Sequence, residues 1–169
     1  AIDGNFSMMV AALLLAGGRG TRAGGGIPKQ YRKIGGVSVL RHAIDCFVDC
    51  TAVELIRVVI HADDQELYRS AIAGLDILPP VIGGTERHLS AVNGLESLSD
   101  LGTDIVLIHD AARPFADRGV IKRVIAALAN ADGAIPALPV SDTLKRVAST
   151  DVLIEETVDR AGLWRAQTP

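Results

Sequence analysis

A glycine-rich segment with several basic residues lies near the start of the chain and could bind phosphate. It reads Ala16-Gly17-Gly18-Arg19-Gly20-Thr21-Arg22 and directly follows an apolar run. Glycine lets the backbone approach a phosphate closely, and consecutive backbone N–H groups can form an anion-binding cradle. From Gly17 to Gly35 there is no acidic residue, and there are five basic ones: Arg19, Arg22, Lys29, Arg32 and Lys33. The segment therefore predicts a polyphosphate site, with a solvated, mobile surface loop as the alternative.

The spacing of these glycines matches neither common phosphate-binding motif. The P-loop pattern G-x-x-x-x-G-K-[ST] is absent. Arg22 or Ala23 stands where the last glycine of G-x-G-x-x-G would be. The prediction of a polyphosphate site rests on glycine content and charge.

A second polar cluster begins with Gly83 and Gly84, after another apolar run. Thr85 is a suitable N-cap for a helix that follows. Exposed backbone N–H groups and the hydroxyl of Ser90 could recognise the edge of a base. A plain turn between a strand and a helix is the alternative.

The third cluster is His109-Asp110-Ala111-Ala112-Arg113-Pro114, again after an apolar run. An aspartate at the carboxyl end of a strand can hold Mg²⁺ or a sugar hydroxyl. The alternative is a structural ion pair between Asp110 and Arg113 that caps the turn. His109 alternates with Ile108, so we expect it to be packed rather than to act as a general base.

Two later polar segments are less informative on their own. They are Asp142-Thr143-Leu144-Lys145 and the stretch from Asp159 to Pro169. In isolation each would be a solvated turn, and Trp164 would belong to the core rather than to a ligand platform.

Around these clusters, short apolar runs alternate along the chain with segments of helical periodicity. Strands are predicted at Val10–Leu15, Val53–Ile60, Pro80–Ile82, Asp104–His109 and Gly133–Val140. Helices are predicted at Val37–Val48, Asp64–Ala73, Glu86–Leu98 and Arg118–Ala131. This alternation is typical of a mostly parallel sheet covered on both faces, which binds ligands at the carboxyl ends of its strands.

Apolar spacing predicts one face for each main helix. In the first helix the face is Val37, Leu40, Ile44 and Phe47, and in the third it is Leu89, Val92 and Leu95 or Leu98. In the last helix the inward residues are Val120, Ile121, Val124, Ile125 and Leu128. After Val140 the rhythm stops, and the segment Ser141–Asp159 predicts a hairpin arm outside the sheet.

Composition limits the classes of protein that need to be considered. The chain has 169 residues, a net charge of −3 and 4% aromatic residues. Its length favours one domain, and its charge and few aromatics argue against binding of a nucleic-acid polymer. The apolar run Met8–Ala16 has nine residues, less than half of the roughly 20 that span a bilayer. The preceding residues 1–7 carry no positive charge, so we expect no secretory signal, no membrane and a cytoplasmic protein.

The two cysteines give no sign of a metal site. Cys46 and Cys50 lie four residues apart in a helical pattern, with no second pair of cysteines. A zinc site requires about four ligands at closer spacing. We expect two reduced cysteines, at least one of them in the core.

Taken together and in order, the clusters resemble one enzyme family. The matching segments are Ala16–Arg22, Pro28-Lys29-Gln30-Tyr31, Gly83-Gly84-x-Glu86-Arg87-x-x-Ser90, His109–Pro114, Asp142–Lys145 and Asp159–Pro169. They are similar to those of the 2-C-methyl-D-erythritol 4-phosphate cytidylyltransferases of the non-mevalonate isoprenoid pathway. The resemblance covers the chain after Ser7, so residues 1–7 are an N-terminal tail and residues 8–169 the cytidylyltransferase domain.

The resemblance implies a fold and a reaction. The fold would be a three-layer, Rossmann-like α/β nucleotidyltransferase with a mostly parallel sheet and a protruding β-arm at about residues 139–162. The arm would form a homodimer. The enzyme would join CTP to methylerythritol 4-phosphate with Mg²⁺ or another divalent cation, releasing pyrophosphate by in-line attack on the α-phosphorus.

The resemblance also implies roles for individual residues. Those that would contact the nucleotide are Ala16, Gly17, Gly18, Gly20, Gly84, Ser90, Asp110 and Ala111. Arg22 and Lys29 would stabilise the charge that develops on the α-phosphate, and Asp110 would also lie near the metal ion. The residues that would face the second substrate are Asp110, Arg113, Thr168 and Arg160, the last of these catalytic and in the partner subunit's site.

Two departures from the family pattern stand out. Leu15 and Gly17 replace the proline and alanine that the family often has, which removes no charged group. The family domain also continues beyond Thr168-Pro169 with further ligands, so we expect an incomplete domain, from a monofunctional parent or from one fused to a cyclodiphosphate synthase. Ribitol 5-phosphate cytidylyltransferase and an inactive nucleotide-binding fragment are the alternatives.

Overall fold

A computed structural model describes residues 8–19, 26–148 and 152–168. Within these residues the strands are β1 (Val10–Leu15), β2 (Lys33–Ile34), β3 (Val37–Ser38), β4 (Leu55–Ile60), β5 (Val81–Ile82), β6 (Ile105–Asp110), β7 (Ala137–Pro139), β8 (Leu144–Val147), β9 (Ile154–Val158) and β10 (Trp164–Ala166). The α-helices are α1 (Val39–Val48), α2 (Gln65–Ala71), α3 (Arg87–Glu96) and α4 (Arg118–Ala127).

The centre of the fold is a parallel sheet with the strand order β5-β4-β1-β6. Strand β1 lies between two long partners, and its end at Leu15 is opposite both Val59 and Asp110. Its residues are apolar on both sides because both faces of the sheet are covered. The parallel register brings the carboxyl ends of β1, β4 and β6 to one edge.

One face of the sheet packs against α1, α2 and α4. The predicted stripe of α1 is confirmed for Leu40, Ile44 and Phe47, which are fully buried. In α4 the buried residues are Ile121 and Val124, and the other predicted inward residues pack partly against the same cluster.

The opposite face packs against α3. Gly94 lies so close to the sheet that a Cβ there would be 2.6 Å from Leu13 Cδ2. The apolar residues Leu89, Val92 and Leu95 do share one side of α3, but it is the exposed side. Leu98, the alternative to Leu95 in the predicted face, follows the helix and is buried against this face of the sheet. Glycine and serine, rather than the large apolar residues, provide the inward positions of this helix. The predicted three-layer α/β fold is confirmed.

The segment after α4 leaves the main sheet. Strands β8 and β9 form the predicted hairpin arm, and β7 pairs with β10 in a separate antiparallel ribbon. The strand predicted over Gly133–Val140 is present only as the shorter β7, and the expectation that it joins the main sheet is wrong. Pro136 and Pro139 lack the N–H group that a central strand must donate, which favours a short edge ribbon.

Three smaller predictions are also wrong. Val37 belongs to β3, since it pairs with Ile34 before the helix starts. Glu86, not Thr85, occupies the N-cap of α3. Trp164 is 61% exposed, because its strand β10 pairs with β7 away from the main core.

Both cysteines are free thiols, and Cys50 is buried in the core as expected. Among the described residues, the helices are all too short or too polar to cross a membrane.

Candidate functional site

A cleft of about 540 Å³ opens at the carboxyl ends of β1, β4 and β6. The predicted site residues that line it are Ala16, Gly17, Gly18, Lys29, Gly84, Ser90, Asp110 and Arg113. They come from four separate parts of the sequence. The parallel register of the sheet is what places them around one space.

Gln30 holds the backbone of the first residues of the glycine-rich segment, from Ala16 to Gly18. It is 2% exposed, and its Nε2 donates to the carbonyls of Ala16 at 2.6 Å and Gly18 at 3.1 Å. These bonds satisfy two carbonyls at a point where the chain leaves the sheet. Gln30 lies in the short 3-10 helix Lys29–Tyr31, so the same turn that presents Lys29 also holds the loop.

Arg19 contributes less free positive charge to the cleft than the sequence suggested. Its Nη2 is 2.6 Å from Asp63 Oδ2 and 2.7 Å from His61 Nδ1, and its Nη1 is 3.3 Å from Asp64 Oδ1. Two carboxylates therefore compensate the guanidinium. Lys29, by contrast, lines the cleft without a carboxylate within 4.0 Å among the described residues.

Asp110 stands at the end of β6 and is held by arginine. The Nε and Nη2 atoms of Arg87 lie 3.1 and 2.8 Å from its Oδ1. Arg113 Nε is 3.9 Å from Oδ2, and the Arg113 backbone N–H donates to the Asp110 carbonyl. The expected turn-capping pair with Arg113 thus coexists with a closer contact to Arg87.

Ser90 forms the opposite wall, on the first turn of α3. Its hydroxyl donates to the Glu86 carbonyl at 3.1 Å, and it is 3.4 Å from the Gly84 carbonyl. A Cβ on Gly83 would lie 2.6 Å from Ser90 Oγ, so glycine is required for this close approach. Backbone groups and one hydroxyl are the kind of surface that can recognise a base edge.

Several predicted site residues lie elsewhere. Ala111 is fully buried behind Asp110. Arg160 donates to the Ser141 carbonyl at the base of the arm, and Thr168 lines other cavities. Arg113 Nη1 nevertheless donates to Gln167 Oε1 at 2.9 Å, which brings the neighbour of Thr168 beside the cleft. Gly20 and Arg22 lie outside the described residues.

The contacts of Gln30, of Arg87 and of the group His61, Asp63 and Asp64 were not predicted from the sequence. The first two lay within the quoted motifs, but their partners are 12 to 23 residues away in the sequence. The β4–α2 turn carries no glycine or motif that would have marked it.

His109 is packed, as predicted. It is 1% exposed, lies edge-on to Phe47 with ring centroids 5.1 Å apart, and its Nε2 is 2.8 Å from the Arg113 carbonyl. Burial lowers the pKa of His109 from its ordinary value of 6.5. A neutral ring that donates to this carbonyl anchors the turn behind Asp110.

The residues around the cleft fit a divalent cation that arrives with phosphate groups. Among the described residues there is no cluster of three or more His, Cys, Asp or Glu side chains that could hold a metal alone. Mg²⁺ commonly uses one or two carboxylates together with substrate phosphates and water. Asp110 can supply one such carboxylate if Arg87 moves aside.

A larger cavity of about 600 Å³ runs along the outer edge of β6. Its lining includes Met8, Val106, Ile108 and Ile135. It lies beside the strand rather than at the strand ends where the polar clusters meet. The cleft at the strand ends is therefore the better candidate.

A three-layer α/β fold with a glycine-rich turn after β1 and a polar cleft at the strand ends is the architecture of Rossmann-like nucleotidyltransferases. The family model described as 2-C-methyl-D-erythritol 4-phosphate cytidylyltransferase, IspD, matches residues 10–169. The chain belongs to this family.

Curated relatives agree with that assignment. A protein named bifunctional enzyme IspD/IspF from Rhodospirillum rubrum is 56% identical over 161 residues, which are 95% of this chain and 41% of that protein. A protein of the same name from Paramagnetospirillum magneticum is 53% identical over 157 residues, covering 93% of this chain and 40% of that protein. The chain thus spans about two fifths of these relatives.

Solved structures show the same fold. A 4-diphosphocytidyl-2C-methyl-D-erythritol synthase from Anaerococcus prevotii superposes with a TM-score of 0.82 at 28% identity, covering 96% of this chain and 70% of that one. Another structure described by that enzyme name has a TM-score of 0.80 at 38% identity, covering 96% of this chain and 73% of that one.

The lowered pKa of His109 predicts a pH-dependent contribution to stability. Below pH 6.5 the unfolded chain takes up a proton at this position that the folded protein resists. This contribution is complete above pH 6.5 and is lost as the pH falls through the folded-state pKa.

Denaturant unfolding between pH 8 and pH 5 measures the effect. The full-length protein should lose free energy of unfolding more steeply below pH 6.5 than a His109→Asn variant. The other histidines are present in both proteins and cancel. Equal slopes would contradict the assignment of a buried, neutral His109.

Proposed function

We propose that the protein containing this chain transfers the CMP moiety of CTP to 2-C-methyl-D-erythritol 4-phosphate, releasing pyrophosphate. The observation that carries the proposal is the cleft at the strand ends, where a glycine-rich turn, Lys29 and Asp110 surround one space. Family membership supports this choice of substrates.

The nucleotide would lie across the edge of the sheet. Ala16, Gly84 and Ser90 would border the cytosine. Gly17, Gly18 and Gly20 would lie along the triphosphate. Asp110 would lie at the ribose, with the buried Ala111 directly behind it. The presence of both Gly84 and Ser90 in the cleft lining supports the base-binding part.

The chemistry needs positioning and charge neutralisation rather than a covalent intermediate. The phosphate of the second substrate would attack the α-phosphorus in line. Lys29, and Arg22 from the undescribed part of the loop, would stabilise the charge that grows on the α-phosphate. A divalent cation such as Mg²⁺, held by Asp110, would supply further neutralisation of the triphosphate.

The second substrate would bind toward Arg113 and Thr168, with Arg160 acting in the partner's site. The bond between Arg113 and Gln167 supports this arrangement, since it joins a residue of the cleft lining to the neighbour of Thr168. Arg160 lies at the base of the arm, which supports a role outside its own cleft.

We also propose that the arm forms a homodimer. Three consecutive residues at its tip, Val152, Leu153 and Ile154, are 83%, 64% and 64% exposed. A contiguous apolar patch of this kind is typical of an interaction site. A second copy of the chain could cover this patch, because the arm lies outside the main sheet and is therefore free to pack against another subunit.

The activity is tested by pyrophosphate release from CTP in the full-length protein. Release should require methylerythritol 4-phosphate and a divalent cation, and ribitol 5-phosphate at equal concentration should give a much lower rate. A higher rate with ribitol 5-phosphate would favour the ribitol enzyme. Binding of CTP without turnover would favour a nucleotide-binding protein.

Lys29→Ala should lower kcat by roughly 100-fold or more, because a contact to the charge of the transition state is lost. Lys33→Ala is the matched control, since Lys33 is an exposed residue of β2 outside the cleft lining. Steady-state kinetics measures both variants. Unchanged turnover in Lys29→Ala would contradict the assigned role.

Leu153→Asp should convert the dimer to a monomer, because a charge would enter the apolar tip of the arm. Analytical ultracentrifugation at equal concentrations measures this, with Val48→Asp as a control at an exposed apolar position on α1. A monomeric wild-type protein, or a Leu153→Asp variant that remains dimeric, would exclude the arm as the interface.

A further inference from the structure

Asp64 is a carboxylate almost wholly inside the protein. It is 1% exposed and lies in the turn between β4 and α2. An ionised carboxylate removed from water is unfavourable unless it is paired. The Nη1 atom of Arg19, 3.3 Å from Asp64 Oδ1, provides that pairing. A buried acid is thereby joined to the residue that follows Gly17 and Gly18.

The guanidinium of Arg19 is directed at this turn. Its second terminal nitrogen, Nη2, contacts Asp63 at 2.6 Å and His61 at 2.7 Å. An arginine that binds phosphate would turn these same nitrogens toward the ligand. With both engaged on the β4–α2 turn, Arg19 is placed to hold the loop rather than to bind the triphosphate.

Asp64 is also coupled to the turn that presents Lys29. Burial raises the pKa of the Tyr31 hydroxyl, and the negative charge of Asp64 raises it further. Tyr31 ends the 3-10 helix that begins at Lys29. Among the described residues, Asp64 Oδ2 and the hydroxyls of Tyr31 and Tyr68 are buried without a hydrogen-bond partner. The carboxylate of Asp64 thus interacts both with Arg19 and with Tyr31, which lies two residues after Lys29.

Residues 16–19 of the glycine-rich segment are therefore held by two different groups. Gln30 donates to the Ala16 and Gly18 carbonyls, and the side chain of Arg19 binds the β4–α2 turn. Gly17 and Gly18 thus lie between an anchor at Ala16 and an anchor at Arg19.

We propose that Arg19 and Asp64 are positioning residues that clamp the start of the glycine-rich segment, residues 16–19, against the β4–α2 turn for a nucleoside triphosphate. This inference rests on the proposed function of the same cleft. Arg19 would act by holding the backbone in place rather than by contacting the ligand. Asp64 would act through Arg19, since Asp64 itself does not line the cleft.

A double-mutant cycle in the full-length protein tests the coupling. Arg19→Ala and Asp64→Asn should each lower kcat/KM for CTP by about tenfold, and the double variant should lose no more than Arg19→Ala alone, since the contact between Arg19 and Asp64 is already absent there. Arg19→Lys should recover part of the loss. Additive losses of about 100-fold would overturn the proposal and indicate that Arg19 binds phosphate itself.

Arg118→Ala is the matched control, because Arg118 forms an ion pair with Asp49 at 2.7 Å outside the cleft lining. It should leave kcat/KM unchanged. A loss as large as that of Arg19→Ala would overturn the proposal, since it would show a general effect of removing a surface arginine.

Hydrogen exchange provides a readout that does not depend on turnover. The Ala16 amide, which donates to the Val59 carbonyl at 2.7 Å, should exchange faster in Arg19→Ala and Asp64→Asn than in the wild type or Arg118→Ala. Unchanged exchange would overturn the clamp. A wild-type protein without activity would instead contradict the proposed function and leave this test valid.

Discussion

Strand β1 pairs in parallel with β4 on one side and with β6 on the other, and this pairing determines where the polar residues of the chain can meet. It places Leu15 opposite both Val59 and Asp110, so that three strands end at the same edge. The strands are apolar because helices cover both faces, and the polar residues can gather only after the strands end. The cleft is a direct consequence of that register.

Charge is distributed unevenly around this cleft. The chain has a net charge of −3, yet its glycine-rich region contains no acid. The structure adds that Arg19 and Arg87 are compensated by Asp63, Asp64 and Asp110, whereas Lys29 has no such partner among the described residues. The local arrangement of paired and unpaired basic side chains is therefore more informative about anion binding than the net charge of the whole chain.

Periodicity predicted the sheet, the order of its elements and the stripes of α1 and α4, because buried strands and amphipathic helices leave regular patterns in the sequence. It failed for α3, whose large apolar residues lie on the exposed side, and after α4, where a two-stranded ribbon replaced the expected strand of the main sheet. Motifs predicted most of the cleft lining. They did not predict the support behind it, since Asp64 meets Arg19 only through the tertiary fold.

Binding of the nucleotide in the cleft at the strand ends can be observed in a crystal structure of the full-length protein with CTP and Mg²⁺. We expect the triphosphate between the backbone of Gly17 and Gly18 and the Lys29 ammonium, with the cytosine beside Ser90. A nucleotide bound in the cavity along β6, or contacts from the triphosphate to none of these groups, would contradict it.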